Sequence, residues 1–171
     1  MSEQWIFGYG SLVWRPAFSY LEKSPAFVEG WTRRFWQASP DHRGTEDSPG
    51  RVVTLVPAPR EQCWGMAYRV SASVADATLK ALDYREKAGY ERVLARLNLS
   101  SGKFIDDVLF YVASQGNPNF VGAQDDEEIL TVIRRAHGPS GSNREYLVRL
   151  GEALKALNVE DPHVERLVAL L

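Results

Sequence analysis

The sequence predicts an α+β protein in which a largely antiparallel sheet or barrel precedes a group of helices. Through the first two thirds of the chain, apolar residues form short runs or alternate with polar residues, as they do in strands. The spacing becomes helical at residues 73–88, and it is helical again after residue 125. No internal repeat, low-complexity tract or linker interrupts the 171 residues, so one domain spanning residues 1–171 is expected.

Strands are predicted where apolar runs lie between glycine, proline and polar turn residues. The run 27–38 is long enough for one or two strands, and the stretch 39–50 is interpreted as a loop because prolines and glycines punctuate it. Pro57 and Pro59 are expected to end the strand at 51–56, since proline donates no hydrogen bond to a neighbouring strand. The predicted strands are 5–7, 27–38, 51–56, 63–70, 91–99 and 107–113.

Helices are predicted from their end signals as well as from their spacing. The helix at 73–88 has Ser71 or Ser73 as its N-cap and Gly89 as the first residue after its C-terminus. The remaining helices are predicted at 125–137, at 146–157 after the capping-box residues Ser142 and Glu145, and from Asp161 onward, where Pro162 takes the first helical position.

The composition argues against several classes of function. A net charge of −2 gives no reason to expect a nucleic acid or an anionic membrane as partner. Cys63 is the only cysteine, so no internal disulfide can form, and the three widely spaced histidines make no metal-binding pattern. Residues 1–4 show no signal-peptide pattern and no apolar run approaches about 18 residues, which favours a cytoplasmic protein. No metal or other cofactor is expected, and the sequence carries no indication of the oligomeric state.

One carboxylate, Glu86, is predicted to lie on the apolar side of a helix. At about 3.6 residues per turn, it shares a stripe with Ala75, Leu79 and Leu82. An ionised carboxylate in apolar surroundings is costly, so its pKa is expected to rise, which makes it a competent proton acceptor near neutral pH. The alternative is that Glu86 lies at the rim of the core, reaches water and pairs with the flanking Arg85 or Lys87.

A glycine-containing turn, Gly8-Tyr9-Gly10-Ser11-Leu12, follows the first predicted strand. Glycine permits a close approach of a ligand, and successive N–H groups in such a turn can bind a carboxylate or an oxyanion. The turn is not a phosphate loop, because no Gly-Lys-[Ser/Thr] follows, and it is not a nucleophile elbow, because Leu12-Val13 follows Ser11. A plain tight turn is the alternative, and these residues alone favour it.

Other candidate residues are open to structural explanations. A Ser11/His42/Asp41 triad is disfavoured, because an acid adjacent to the histidine cannot easily orient the far side of the imidazole. Tyr146, in the first turn of a helix, and Tyr111, on the last strand, are candidates to direct a hydroxyl into a pocket, but both fit a core equally well. The tryptophans lie mostly among apolar residues of predicted strands and are assigned to the core.

Several motifs, taken together and in order, resemble one family. They cover nearly the whole chain, and as a set they are specific. They are Phe7-Gly8-Tyr9-Gly10-Ser11-Leu12-Val13-Trp14, Arg33-Arg34-Phe35-Trp36-Gln37, Asp41-His42-Arg43-Gly44, Gly50-Arg51-Val52-Val53-Thr54-Leu55, Trp64-Gly65-Met66-Ala67-Tyr68, Arg85-Glu86-Lys87-Ala88-Gly89-Tyr90, Gly138-Pro139-Ser140-Gly141 and Glu145-Tyr146-Leu147. In these motifs the chain resembles the ChaC-like γ-glutamylcyclotransferases.

The resemblance implies a fold, a reaction and a set of site residues. The fold is a small mixed, largely antiparallel β-barrel with peripheral helices, and the reaction is the cofactor-free cleavage of glutathione to 5-oxoproline and Cys-Gly in the cytosol. Glu86 corresponds to the catalytic carboxylate. Ala88 departs from the family pattern, in which glycine is more frequent. The residues expected to bind substrate are Gly8, Tyr9, Gly10, Ser11, Leu12, Val13, Tyr111 and Tyr146.

Two other functions are compatible with the same motifs. The first is cyclotransfer on other γ-glutamyl amino acids or amines, which the same general base would catalyse. The second is a non-catalytic module that binds γ-glutamyl compounds for regulation. Glu86 argues against the second, because a protein that only binds has no need for a costly inward carboxylate.

Overall fold

A computed structural model describes residues 2–171 of the chain as a closed five-stranded barrel with four α-helices. A short 3₁₀ turn, Ser11–Val13, follows the first strand. The barrel strands are β1 (Gln4–Gly8), β2 (Glu22–Ser39), β3 (Gly50–Val70), β4 (Tyr90–Leu99) and β5 (Phe104–Ala113), and a small hairpin consists of β6 (His137–Gly138) and β7 (Gly141–Ser142). The helices are α1 (Ala72–Arg85), α2 (Asp126–Arg135), α3 (Asn143–Ala156) and α4 (Pro162–Leu170).

The strand order around the barrel is β1-β3-β2-β4-β5, and the predicted α+β class with a largely antiparallel barrel is confirmed. Neighbouring strands pair antiparallel except at the closure, where β1 meets β5 in parallel at Ile6 and Leu109. The long β2–β3 hairpin supplies most of the pairing, from Glu22 opposite Arg69 to Ser39 opposite Gly50. This closure brings the residues that follow β1 and those that follow β2 to one end of the barrel.

The prediction that Pro57 and Pro59 end a strand was wrong, because β3 continues through both. Trp31 of β2 pairs with Pro57, and Glu29 pairs with Gln62, so residues 58–61 of β3 bulge away from the ladder. Pro59 lies in this bulge, where no partner strand requires its missing N–H, and Pro57 is the last paired residue before it. Gly30 stands opposite the bulge with a φ of +84°.

Helix α1 ends three residues before the predicted boundary, and Glu86 is its C-cap. Two hydrogen bonds hold the turn that follows the helix. The Tyr90 N–H donates to the Glu86 carbonyl at 3.2 Å, and Asn119 Nδ2 donates to the Ala88 carbonyl at 3.0 Å. Gly89, with a φ of +106°, therefore closes this turn instead of following the helix directly.

The capping box predicted before α3 is only half formed. Ser142 Oγ accepts the Glu145 N–H at 3.1 Å, as expected of an N-cap. The Glu145 carboxylate does not return to the Ser142 amide, and it lies 3.4 Å from Arg43 Nη1 instead. A reciprocal box does form at α2, between Asp125 and Glu128.

Two apolar clusters surround β1 and β5. The larger fills the barrel and extends to helices α2–α4, and it includes Phe7, Phe110 and Leu147. The smaller lies outside the barrel under α1, where Ala75 and Leu82 pack with residues of β1 and β5. Helix α1 is thereby held against the barrel with its C-terminal end beside the turn after β1. No helix within residues 2–171 is long and apolar enough to cross a membrane.

Candidate active site

A cavity of about 300 Å³ lies at the end of the barrel where β1 enters the 3₁₀ turn. Segments that are distant in sequence line it: the turn after β1, the loop after β2, the start of β3, the junction of α1 with β4, one residue of β5, and the loop and first turn of α3. All of the residues from the predicted glycine turn, Gly8 to Leu12, are in the lining, and so are Glu86, Tyr111 and Tyr146. Val13 lies just outside it, buried in the core.

The Glu86 carboxylate is at the wall of this cavity, and 19% of its side chain is exposed. Burial raises its pKa above the ordinary glutamate value, and Asp41 raises it further, whereas Arg85 and His42 partly offset the rise. Arg85 is its nearest cation, at 3.9 Å from Nε to Oε1, and within residues 2–171 no hydrogen bond holds the carboxylate. A carboxylate with a raised pKa and no fixed partner is suited to accept a proton from a ligand.

The glycine turn faces the same cavity with free amide groups. The first N–H group of the turn that donates a backbone hydrogen bond is that of Val13, which donates to the Gly10 carbonyl at 3.0 Å. The Arg15 N–H donates to the Ser11 carbonyl at 2.8 Å. The first residues of a helical turn have no acceptor within the turn, so the N–H groups of Ser11 and Leu12 are available. At Gly8, a Cβ atom would lie 2.5 Å from Leu12 Cβ, so only glycine allows this close fold.

Arg85 connects the carboxylate to the turn. Its Nη2 donates to Ser11 Oγ at 2.5 Å, and its Nε is the atom that lies 3.9 Å from Glu86. Glu86 therefore reaches the turn through Arg85 rather than by a bond of its own. The space between the carboxylate and the turn is the cavity itself, where a ligand would contact both.

Three tyrosines form the floor of the cavity, with Tyr9 and Tyr146 buried and Tyr90 half-buried, and all of them stay protonated at neutral pH. Burial raises the pKa of Tyr146 to about 12, and it raises the pKa values of Tyr9 and Tyr90 well above the usual range. The Val53 N–H donates to the Tyr146 hydroxyl at 3.3 Å, and the Tyr90 hydroxyl donates to the Val53 carbonyl at 3.3 Å. None of these phenols can compete with Glu86 as a base.

The hydroxyl of Tyr111, a residue predicted to bind substrate, already has a partner in the structure. Its hydroxyl donates to Asp83 Oδ1 at 2.6 Å, and its ring belongs to the cluster under α1. Its backbone carbonyl accepts the Tyr9 hydroxyl at 2.5 Å. Tyr111 lines the cavity, which supports the prediction that it binds substrate. Its hydroxyl, however, is already bonded to Asp83.

Residues 39–50 were predicted to form a loop, and Asp41, His42 and Arg43 within it line the cavity. His42 Nε2 lies 3.3 Å from the Arg85 carbonyl, and Nδ1 lies 3.4 Å from Ser140 Oγ. Ser11 Oγ is bonded to Arg85, so the disfavoured triad does not form. In the sequence, only the family motif Asp41-His42-Arg43-Gly44 indicated that these residues lie near the site.

Arg43 is 3% exposed and holds the loop against α3. Its Nη1 donates to the Ser142 carbonyl at 3.0 Å, and its guanidinium lies 5.6 Å from the Tyr146 ring centroid. With Arg15 and Arg85 it places three cations around the cavity, against the carboxylates of Asp41 and Glu86. This mixed charge suits a ligand that carries carboxylates together with an ammonium group. Within residues 2–171, no group of three metal-ligating side chains is present.

The barrel with its carboxylate and glycine turn has the fold of γ-glutamylcyclotransferases. A crystal structure of the yeast glutathione-specific enzyme superposes with a TM-score of 0.93 at 30% identity, over 99% of this chain and 95% of the yeast chain. A family model described as ChaC-like protein matches residues 4–171, and the chain belongs to this family.

Curated relatives carry matching names. Glutathione-specific gamma-glutamylcyclotransferase 1 of Danio rerio is 39% identical, with 99% of this chain and 89% of the relative covered. Gamma-glutamylcyclotransferase 2-3 of Arabidopsis thaliana is 42% identical, with 94% of this chain and 84% of the relative covered. The chain therefore spans most of the length of both.

Proposed function

We propose that this protein is a glutathione-specific γ-glutamylcyclotransferase, a lyase that converts glutathione into 5-oxoproline and Cys-Gly. The observation that carries the proposal is the position of Glu86, whose carboxylate faces the same cavity as the free N–H groups of Ser11 and Leu12. The names of the Danio rerio and yeast proteins support glutathione as the substrate.

Glu86 acts first as a general base. The α-amine of the γ-glutamyl group is mostly protonated at neutral pH and cannot attack until it loses a proton. The Glu86 carboxylate, whose pKa is raised by burial, accepts that proton. The free amine then attacks the δ-carbonyl carbon of the same residue, and a five-membered ring closes.

The protons of the reaction balance without water or a cofactor. The attacking ammonium loses two of its hydrogens as the new C–N bond forms, and the leaving nitrogen of Cys-Gly gains two as the old C–N bond breaks. Glu86 transfers the protons between the two nitrogens, one at a time. General acid–base catalysis of this kind contributes about 10²–10⁴ to the rate.

The glycine turn supplies the stabilisation of negative charge. The N–H groups near Gly10, Ser11 and Leu12 bind the substrate carboxylate or the oxyanion that develops on the δ-carbonyl oxygen. One such donor is worth about 10²–10³ in rate. Because the attack is intramolecular, the cavity also accelerates the reaction by selecting the folded-back conformer of the substrate. Tyr9 and Tyr146 form the surface against which that conformer packs.

The test is an assay of 5-oxoproline and Cys-Gly release from reduced glutathione. We expect turnover by the wild-type protein, and a loss of about 10²-fold or more in kcat for Glu86→Gln, which keeps the shape of the side chain but cannot accept the proton. Glu91→Gln is the matched control, because Glu91 is exposed on β4 and is not one of the residues that line the cavity. If Glu86→Gln retained most of the wild-type turnover, the assignment of the general base would be wrong.

A substrate panel separates this function from its two alternatives. A cyclotransferase of broader specificity would release 5-oxoproline from γ-glutamyl amino acids as fast as from glutathione. A regulatory module would bind glutathione without releasing any product. We propose the cytoplasm as the place of action, because that compartment maintains glutathione in its reduced form and the single cysteine, Cys63, is a buried free thiol.

A further inference from the structure

Arg33 is a buried charge that the proposed reaction leaves unexplained. It lies on β2 with 2% of its surface exposed, and its guanidinium has three partners. Nη1 pairs with Asp161 Oδ2 at 2.6 Å, Nη2 donates to the Trp64 carbonyl, and Nε donates to the Tyr9 carbonyl at 2.8 Å. The first two bonds join β2 to α4 and to β3. The third is made to the glycine turn of the cavity.

The bond to Tyr9 determines the direction of the next amide group. The Tyr9 carbonyl and the Gly10 N–H belong to one peptide unit, and the chain contains no cis peptide bond within residues 2–171. In a trans peptide the two groups point in opposite directions. Since the carbonyl points to Arg33 in the core, the Gly10 N–H points away from the core, and Gly10 lines the cavity.

We propose that Arg33 is a positioning residue: by holding the Tyr9 carbonyl, it aims the Gly10 N–H at the negative charge of the substrate. This inference rests on the proposed cyclotransfer reaction. The positive charge of Arg33 also polarises the peptide that it binds, which makes the Gly10 N–H a stronger donor. The side chain acts on the substrate through one peptide unit and does not touch it.

The space around Gly10 is consistent with this role. A Cβ atom at this position would lie 2.9 Å from the Tyr146 hydroxyl and 3.1 Å from Val53 Cγ2. The backbone of the turn therefore packs directly against the floor of the cavity. A small rotation of the Tyr9–Gly10 peptide would move its N–H away from a bound ligand, and a misplacement of about 1 Å is enough to cost about 10²-fold in rate.

Kinetics of two variants separate positioning from a purely structural role. Arg33→Lys keeps the positive charge and the pairing with Asp161 but loses the Nε donor, and we expect kcat/KM for glutathione to fall about 10- to 100-fold. Asp161→Asn removes the ion pair while keeping a good N-cap for α4, and it leaves the bond from Arg33 to Tyr9 in place. We expect this control to lose stability but to stay within about threefold of the wild-type kcat/KM. If kcat/KM followed thermal stability in the same way in both variants, the inference would be overturned.

A second measurement does not depend on the folding of any Arg33 variant. In Glu86→Gln, which binds without turnover, the amide resonances can be followed by NMR while glutathione is added. We expect the Gly10 amide proton and the Arg33 Nε–H to shift together at saturation, while the remote amide of Gly102 stays unchanged. A Gly10 amide that did not respond to bound glutathione would refute the inference. Failure of the proposed function itself would look different, because the wild-type protein would then release no 5-oxoproline.

Discussion

At the scale of single residues, the reactivity of Glu86 depends on charges contributed by two segments. Burial raises its pKa, Asp41 from the loop after β2 adds to the rise, and Arg85 and His42 oppose it. In the proposed mechanism the active form of Glu86 is the carboxylate, because only that form can accept the substrate proton. Activity is therefore expected to fall as the pH is lowered through the raised pKa of Glu86.

Arg85→Gln tests this balance. Loss of the Arg85 charge removes the largest influence that lowers the pKa of Glu86, so that pKa rises further. The acid limb of the kcat/KM profile should then move to higher pH, while glutamine can still donate a hydrogen bond toward Ser11. The measurement is kcat/KM for glutathione across about pH 5–9.

Lys87→Gln is the control for that experiment. Lys87 lies two residues after Arg85, the last residue of α1, and carries the same charge, but it is exposed, with its Nζ 4.1 Å from the Tyr84 ring centroid. Its removal should leave the acid limb where it is in the wild type. Equal shifts in the two variants would show that net charge, rather than the contact with Arg85, sets the pKa of Glu86.

At the scale of elements, the turn between α1 and β4 decides where Glu86 lies. Gly89 has a φ of +106°, and a Cβ atom there would lie 2.7 Å from Asn117 Oδ1. Gly89→Ala should lose about 1–3 kcal/mol of stability from backbone strain. It should also lower kcat/KM, because Asn117 and the turn that carries Glu86 must move. Denaturant unfolding and the glutathione assay measure the two effects.

Gly102 provides a matched control for backbone strain. It lies in the turn between β4 and β5 with a φ of +88°, and nothing lies within 4 Å of the position of its missing Cβ. Gly102→Ala should therefore lose stability through strain alone and keep the wild-type kcat/KM. If both variants kept full activity, the turn at Gly89 would have no influence on the position of Glu86.

The helices and strands differ in how far they could be predicted from the sequence. Helix N-termini were predicted closely, because side chains such as Asp125 and Asp161 cap them through local bonds. The continuity of β3 through Pro57 was not predictable, because it depends on a bulge in the pairing with β2, a strand distant in sequence. The helical stripe made Glu86 a candidate, but the arrival of His42 at the same cavity depends on the closure of the barrel.

At the scale of the whole molecule, buried polar contacts join the C-terminal helices to the barrel, and the bond from the Val53 N–H to the Tyr146 hydroxyl is one of them. Asn143 at the start of α3 accepts the Arg51 N–H at 2.6 Å and donates to the Arg51 carbonyl at 2.8 Å. His163 of α4 accepts the Phe35 N–H at 3.0 Å, and burial lowers its pKa to about 4, so it is neutral and able to accept at physiological pH. The ion pair of Arg33 with Asp161 joins β2 to the start of α4 in the same way.

These contacts lead us to propose that the barrel and the helices unfold as one domain. The sequence offers two independent probes of this proposal. All tryptophans lie between residues 5 and 64, so their fluorescence reports on the barrel and its adjoining turn, whereas helices α2–α4 contribute most of the helical circular dichroism. In urea, the two signals should change with a single midpoint, as they do in a two-state transition.

Asn143→Ala sharpens that test, because it breaks a contact between the two parts without touching the interior of either. Asn143 is fully buried, and its replacement leaves the N–H and carbonyl of Arg51 without their side-chain partner. The free energy of unfolding should therefore fall by about 1–3 kcal/mol. If the molecule is one cooperative unit, fluorescence and circular dichroism midpoints should fall together by the same amount. A fall in the circular dichroism midpoint alone would mean that the helices detach while the barrel stays folded. The cavity, whose floor includes Tyr146 of α3, would then lose a wall before the barrel unfolds.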